Sequence, residues 1–266
     1  MRKIGQNINM NLNFNKWGAS LLLLLLTACG APTPEEAYRD NLSEVWKVGP
    51  YRQMLGSMQD KLLQEKGQEG VSSSEYAEIV GEFVEEELPK VLSAYCEPEF
   101  RKAVGAQEMA DFAQLLNDSS SLENFEMVYG QVDDFEKELD TISVRIKVDE
   151  AGRLQLPKVV MMPLSIVFKE RCDTLYQLCG GKIAQDFYKK TQGMIRTSSN
   201  DSLAIAYVQN NLPMLFLNGM NNRLSEKQLA GALPVCKVLV KFPAVSADEL
   251  YERACLPAFR KWMEER

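Results

Sequence analysis

Apolar residues recur every three or four positions along most of this chain, the spacing of amphipathic helices. Tyr38, Leu42, Val45 and Trp46 mark one face of a first helix, and Thr33-Pro34-Glu35-Glu36 ahead of it is a capping box with proline at the first helical position. Gly49-Pro50 ends that helix, and Tyr51, Met54, Leu55, Met58, Leu62 and Leu63 carry a second. Glycines at 67 and 70 break the chain again. Ser72 to Ser74 supply caps for a long helix with a stripe of Ile79, Val80, Phe83, Leu88, Val91, Leu92 and Tyr95, in which Pro89 predicts a kink or restart. A further helix is expected over 98–116, ended by the polar run 117–121.

The middle changes period. Ile142, Val144, Ile146 and Val148 alternate with polar residues, and Leu154 and Leu156 resume the alternation after the turn-like 149–152. This predicts a β-hairpin, with 125–129 either a third strand or a short helix. Helical spacing then returns over 163–179, where Gly180-Gly181 predicts a stop, and over 183–195. Asn200, Ser225 and Ser246 cap three more helices, two of them containing Pro213 and Pro234. The expected fold is mainly α: two antiparallel helical-bundle halves, 35–130 and 161–266, joined by a small β-hairpin connector at 131–160.

The first 34 residues follow a different logic. Arg2, Lys3 and Lys16 precede an apolar run over 17–28 that contains no acidic residue. That run falls short of the roughly 20 residues needed to span a bilayer. A basic start, a short apolar middle and small residues at the exit describe a secretory signal peptide, 1–28, and Met10 is an alternative start that would make it more compact. The exit, Leu26-Thr27-Ala28-Cys29, resembles the lipobox of bacterial lipoproteins. The resemblance implies cleavage after Ala28, a diacylglyceryl group on the Cys29 thiol, and an acylated new amino terminus. Several acyl chains, at about 0.8 kcal/mol per buried methylene, hold a protein at a membrane almost irreversibly. Residues 29–34 read as a tether. Gly30 is not the Asp that retains such proteins at the inner membrane in some bacteria, which favours the outer membrane. The expected location is the exported side of the cell envelope.

Composition narrows the chemistry. Hydrophobic content of 45% with 25% charged residues is globular. A formal charge of −7 argues against a nucleic-acid partner, because such binding rests on Lys and Arg neutralising phosphates. The chain contains no histidine, which removes Ser-His-Asp hydrolases, Cys-His proteases and His-ligated zinc or haem. There is no P-loop, Gly-x-Gly-x-x-Gly, Cys-x-x-Cys or EF-hand loop. No catalytic residue, cofactor or metal ligand is assigned. Beyond Cys29, cysteines stand at 96, 172, 179, 236 and 255. Cys172 and Cys179, seven residues apart on one helix, lie roughly 10 Å apart, too far to bridge. Cys236 with Cys255 is the candidate disulfide, facing each other across a helical hairpin; the alternative is that all five are small buried apolar residues.

Cys96-Glu97-Pro98-Glu99-Phe100-Arg101-Lys102 returns as Cys255-Leu256-Pro257-Ala258-Phe259-Arg260-Lys261, matching at five of seven positions. In both places proline is expected in the first turn of a helical segment, with phenylalanine as its anchor. Phe83-Val84-Glu85-Glu86-Glu87-Leu88 followed by Ala94-Tyr95-Cys96-Glu97-Pro98 resembles a small helical domain of unknown function in exported bacterial proteins, which reads roughly Phe-Thr-x-x-Glu-Leu and then Phe-Tyr-x-x-Pro-x-Gly. The resemblance covers about 20 residues, implies a helical fold and an envelope location, and carries no activity. Phe100 stands where that family has its Gly.

These readings favour a non-enzymatic, lipid-anchored helical module that binds a protein or an envelope polymer. One alternative is a carboxylate-dependent, glycan-directed hydrolase drawing on Glu85, Glu86, Glu87, Asp133, Asp134 and Glu136, which requires two carboxyls roughly 5–10 Å apart across a cleft. Another is a small-molecule carrier with a cavity lined by Leu and by Met161, Met162, Met194, Met214 and Met220. The glutamate stripe 75–86 reads either as a cation or basic-partner surface or as a solvated helix face, and the methionines either as a pliable surface or as core filling.

Overall fold

A computed structural model of the chain describes residues 32–65, 72–145, 147–148, 154–155, 164–192 and 199–266. It divides into a short N-terminal unit, Met1–Ala37, and a body, Tyr38–Arg266. The expected signal peptide, 1–28, and Cys29 lie outside the described residues.

Thr33, Ser72, Ser225 and Ser246 cap helices as expected, whereas the helix expected to be capped by Asn200 already begins at Ser199. Thr33 Oγ1 accepts from the Glu36 N–H at 3.2 Å and Glu36 Oε2 accepts from the Thr33 N–H at 2.7 Å, opening α1 (Pro34–Val45). Tyr38, Leu42, Val45 and Trp46 are buried as expected. α2 (Gly49–Gln64) begins on the Gly49-Pro50 pair that was expected to end its predecessor. Gly49 makes the corner with φ of +47°, and a Cβ there would stand 2.8 Å from the Phe125 ring, so both backbone and packing require glycine. Ser72 caps α3 (Ser73–Glu82), which passes through a π-helical turn, π1 (Phe83–Glu87), into α4 (Leu88–Ala103). Pro89 stands two residues beyond the end of that turn, where its missing N–H and its ring would otherwise disrupt the α-helical ladder. Pro98, expected to open a helix, instead lies inside α4. α5 (Ala106–Asn117) follows.

α6 (Ser119–Arg145) corrects the predicted centre of the molecule. Residues 125–129 are helical, and so is the alternating segment as far as Arg145, because Phe125, Val128, Val132, Phe135 and Leu139 form a continuous buried stripe that carries the helix onward. The expected hairpin connector is therefore helix over 131–145. Beyond it, a ladder of two residues a side pairs β1 (Lys147–Val148) antiparallel with β2 (Leu154–Gln155), Lys147 opposite Gln155 and Val148 opposite Leu154. α7 (Ile166–Thr191) runs through Gly180-Gly181 without stopping. α8 (Ser199–Asn221) and α9 (Glu226–Leu239) contain Pro213 and Pro234. Ser225 and Gln228 close a complete capping box on α9. Ser246 caps α10 (Ala247–Leu250), which leads through a second π-helical turn, π2 (Tyr251–Cys255), into α11 (Leu256–Glu264).

In the body, α6, α7, α8 and α9 pack as a four-membered ring, α9 against α6 and α7, and α8 against the same two. The C-terminal segment leaves that ring and packs on the N-terminal helices, π2 against α4. The Phe259 ring lies 5.1 Å from Phe83 and 6.2 Å from Tyr76, and Trp262 lies 5.4 Å from Phe83. One hydrophobic core joins both groups of helices. Phe242, after α9, links them through Tyr51 at 6.0 Å, Phe100 at 4.9 Å and Phe112 at 6.0 Å.

Candidate functional site

A cleft of about 650 Å³ opens between α2, α7 and the segment 239–248, a volume typical of ligand sites. α2 supplies Pro50, Met54 and Ser57, one side of a helix at steps of four and three. α7 supplies Leu178, Lys182, Gln185 and Lys189, again one face. Tyr51 and Phe242 form the inner end and are only 6% and 8% exposed.

Several polar groups of the cleft are held by ion pairs and hydrogen bonds, and Asp186 and Asp248 line it as well. Lys182 Nζ lies 3.1 Å from Glu136 Oε2 and 3.2 Å from Asp186 Oδ2. Desolvation alone would lower this ammonium's pKa, but the two carboxylates more than offset it and hold it above its ordinary value. Gln53 donates to both carboxylate oxygens of Asp133, at 3.0 and 3.1 Å, and accepts from the Tyr129 hydroxyl at 3.4 Å. Burial, with Cys179 and Asp133 adding to it, raises the Tyr129 phenol, so it stays neutral. Lys61 pairs with Asp248 at the end of the cleft. That hydrogen bond and charge, with a smaller effect from Lys189, hold the Asp248 carboxyl below its ordinary value. Lys189 makes no ion pair among the described residues and is exposed.

The carboxylates suggested by the sequence are not brought together. Glu85 and Glu86 are exposed on π1, and Glu87 pairs with Lys90. Asp133 is bound to Gln53, Asp134 to Lys137 and Glu136 to Lys182. None of the six lines the cleft. Met161, Met162 and Met194 lie outside the described residues; Met220 is core and Met214 is exposed. Cys236 and Cys255 are free buried thiols, as are Cys96, Cys172 and Cys179, which corrects the candidate disulfide. The reason is placement: Cys236, on α9, interacts with Cys179 of α7, whereas Cys255, on π2, sits near Tyr251 and Lys61. Among the described residues, no group of three or more Cys, Asp or Glu is arranged to hold a metal ion. No helix among them is long and apolar enough to cross a membrane.

The cleft is not legible in the sequence because its walls come from three separate stretches, 50–57, 177–189 and 239–248. No protein-family model matches the chain, no curated protein matches it, and no solved structure matches it.

Proposed function

We propose that this chain is a lipid-anchored module of the bacterial cell envelope, acylated at Cys29 on the exported side, that binds a protein or envelope polymer through the cleft between α2 and α7 without chemistry of its own. The observation that carries the binding half is the cleft itself, a half-open trough in which Lys182 is held by Glu136 and Asp186 and Gln53 by Asp133. The signal-like segment and the lipobox-like Leu26-Thr27-Ala28-Cys29 support the address. The carrier reading is weaker on the same observation, because the trough is open and mixed in polarity rather than an apolar, Met-lined cavity. The hydrolase reading is weaker because the two carboxylates that line the cleft, Asp186 and Asp248, are each held by a lysine, Lys182 and Lys61.

Two measurements test the proposal. Metabolic labelling with a fatty-acid analogue should mark the wild-type chain and not Cys29→Ser, which should leave the membrane fraction. A photo-crosslinking residue at position 185 should yield a defined adduct in cells, abolished by Gly181→Trp. An unlabelled wild-type chain would refute the anchor, and a missing or Gly181-independent adduct would refute the cleft.

A further inference from the structure

The ligand class of the cleft follows from its walls, and this step rests on the binding function proposed above. Leu178, Lys182, Gln185 and Lys189 run along α7, and eleven residue steps at 1.5 Å cover roughly 16 Å. Gly181 belongs to the same wall, and a Cβ built there meets nothing within 4 Å. Elsewhere in the cleft, residues 243–246 run without regular structure between α9 and α10. Among the described residues, neither the N–H nor the C=O of Ala244 or Val245 has a protein partner. A short strip of unpaired backbone in a trough is what an added extended chain satisfies, by hydrogen bonding along its own backbone.

A sugar polymer would instead call for flat aromatic faces against its rings. Tyr51 and Phe242 are almost wholly buried and offer none. The charge pattern adds a side chain to the description. Lys182 is already held by Glu136 and Asp186, but Lys189 stands exposed without an ion pair among the described residues.

We propose that the cleft takes an extended polypeptide segment, with backbone pairing at Ala244 and Val245 and an acidic side chain opposite Lys189. At about 3.3 Å per residue the wall accommodates roughly five residues. The test uses the full chain in detergent, panned against a displayed heptapeptide library, with Gly181→Trp as counter-selection and Gln185→Trp as a second block should the first fail to fold. A β-1,4-linked N-acetylglucosamine tetramer is titrated in parallel. Selected peptides should carry Asp or Glu, bind wild type at least tenfold more tightly than the blocked variants, and weaken several-fold with Lys189→Gln. Peptides indifferent to the blocks overturn the assignment. So does block-sensitive binding of the tetramer alone, which leaves the cleft as a binding site with a different ligand. If neither probe binds while the position-185 adduct forms in cells, the polypeptide assignment falls and the cleft stands; if the adduct is also absent, both fall.

Discussion

Gly181 and Gly219 sit in long helices, and replacing each with alanine should move stability in opposite directions. At Gly181 the new methyl meets open space, and the gain is the helix propensity of alanine over glycine in a helix interior, about 0.5–1 kcal/mol. At Gly219 the methyl would stand 2.6 Å from Phe135 Cδ2 and 2.8 Å from Cε2. That ring cannot swing away cheaply: it is buried and packs edge-on to Phe216 at 5.3 Å between centroids, on the contact between α6 and α8. Overpacking of this kind costs about 1–3 kcal/mol. Gly219 is also in the last turn of α8, so the propensity gain is smaller. A net loss of about 1–2 kcal/mol is expected, and the two variants should differ by about 1.5–3 kcal/mol, or several degrees in Tm for a domain of this size. Thermal melts followed by circular dichroism, with matched urea titrations, measure both. A Gly219→Ala protein as stable as Gly181→Ala would refute the packing described between α6 and α8, and a destabilised Gly181→Ala would refute the open wall on which the cleft argument rests.

The α9 cap gives a simpler test. Ser225→Ala removes one side of the capping box and should cost about 1 kcal/mol, read as a lower urea midpoint with an unchanged slope. The thiols give a pH test. Burial pushes Cys96, Cys172, Cys236 and Cys255 up to about 12, and Cys179 well above its ordinary value. In the folded protein none of the five should react with Ellman's reagent at pH 8, and all should react on unfolding. These protons are held more tightly folded than unfolded, so their contribution to stability is complete below the ordinary thiol value of 9.0 and is lost as pH rises toward 12. The Tyr38 and Tyr251 phenols, raised from 10.0 to about 12 chiefly by burial, act in the same direction. Alkaline unfolding should therefore set in above pH 9; a flat stability profile from pH 8 to 11 would contradict the burial of these groups.

Local chemistry was legible where one side chain decides the outcome. Thr33, Ser72, Ser225 and Ser246 each cap the helix they precede. Reading failed where a local signal competed with a long packed face. Gly180-Gly181 looked like a stop because interior glycine costs about 1 kcal/mol. Yet Phe168, Cys172, Leu175, Cys179, Ile183 and Phe187 continue one buried row across it, and their burial exceeds that cost. The β-like alternation from Ile142 lost to the helix-forming row ahead of it in the same way. The candidate site was largely illegible. The carboxylates that the sequence offered are spread over π1 and α6, and the cleft arises only when α2, α7 and the chain after α9 meet.

The prolines show how tertiary register decides what a local signal means. The repeated Cys-x-Pro-x-Phe-Arg-Lys string pairs Pro98 with Pro257, but the structure pairs Pro257 with Pro89. Each of these follows a π-helical turn whose closing bond reaches back five residues, from the Leu88 N–H to the Phe83 carbonyl and from the Leu256 N–H to the Tyr251 carbonyl. Pro98, Pro213 and Pro234 lie inside helices with no such turn. A π-turn amounts to one extra residue in an α-helix. At π2 it lets the chain pass Pro257 while keeping Phe259 on Phe83 and Tyr76. Neither turn lines the cleft, so their role is register. Deleting Arg253, exposed and among the described residues paired only with Glu249 at the surface, would remove the extra residue and leave both flanks in phase. In that shortened helix Pro257 would meet the carbonyl four residues back, at a cost of about 3 kcal/mol. The deletion alone should therefore be markedly less stable than the same deletion combined with Pro257→Ala, which should melt within a few degrees of wild type. Equal destabilisation of the two deletion proteins in urea would show that the proline is not what the turn accommodates.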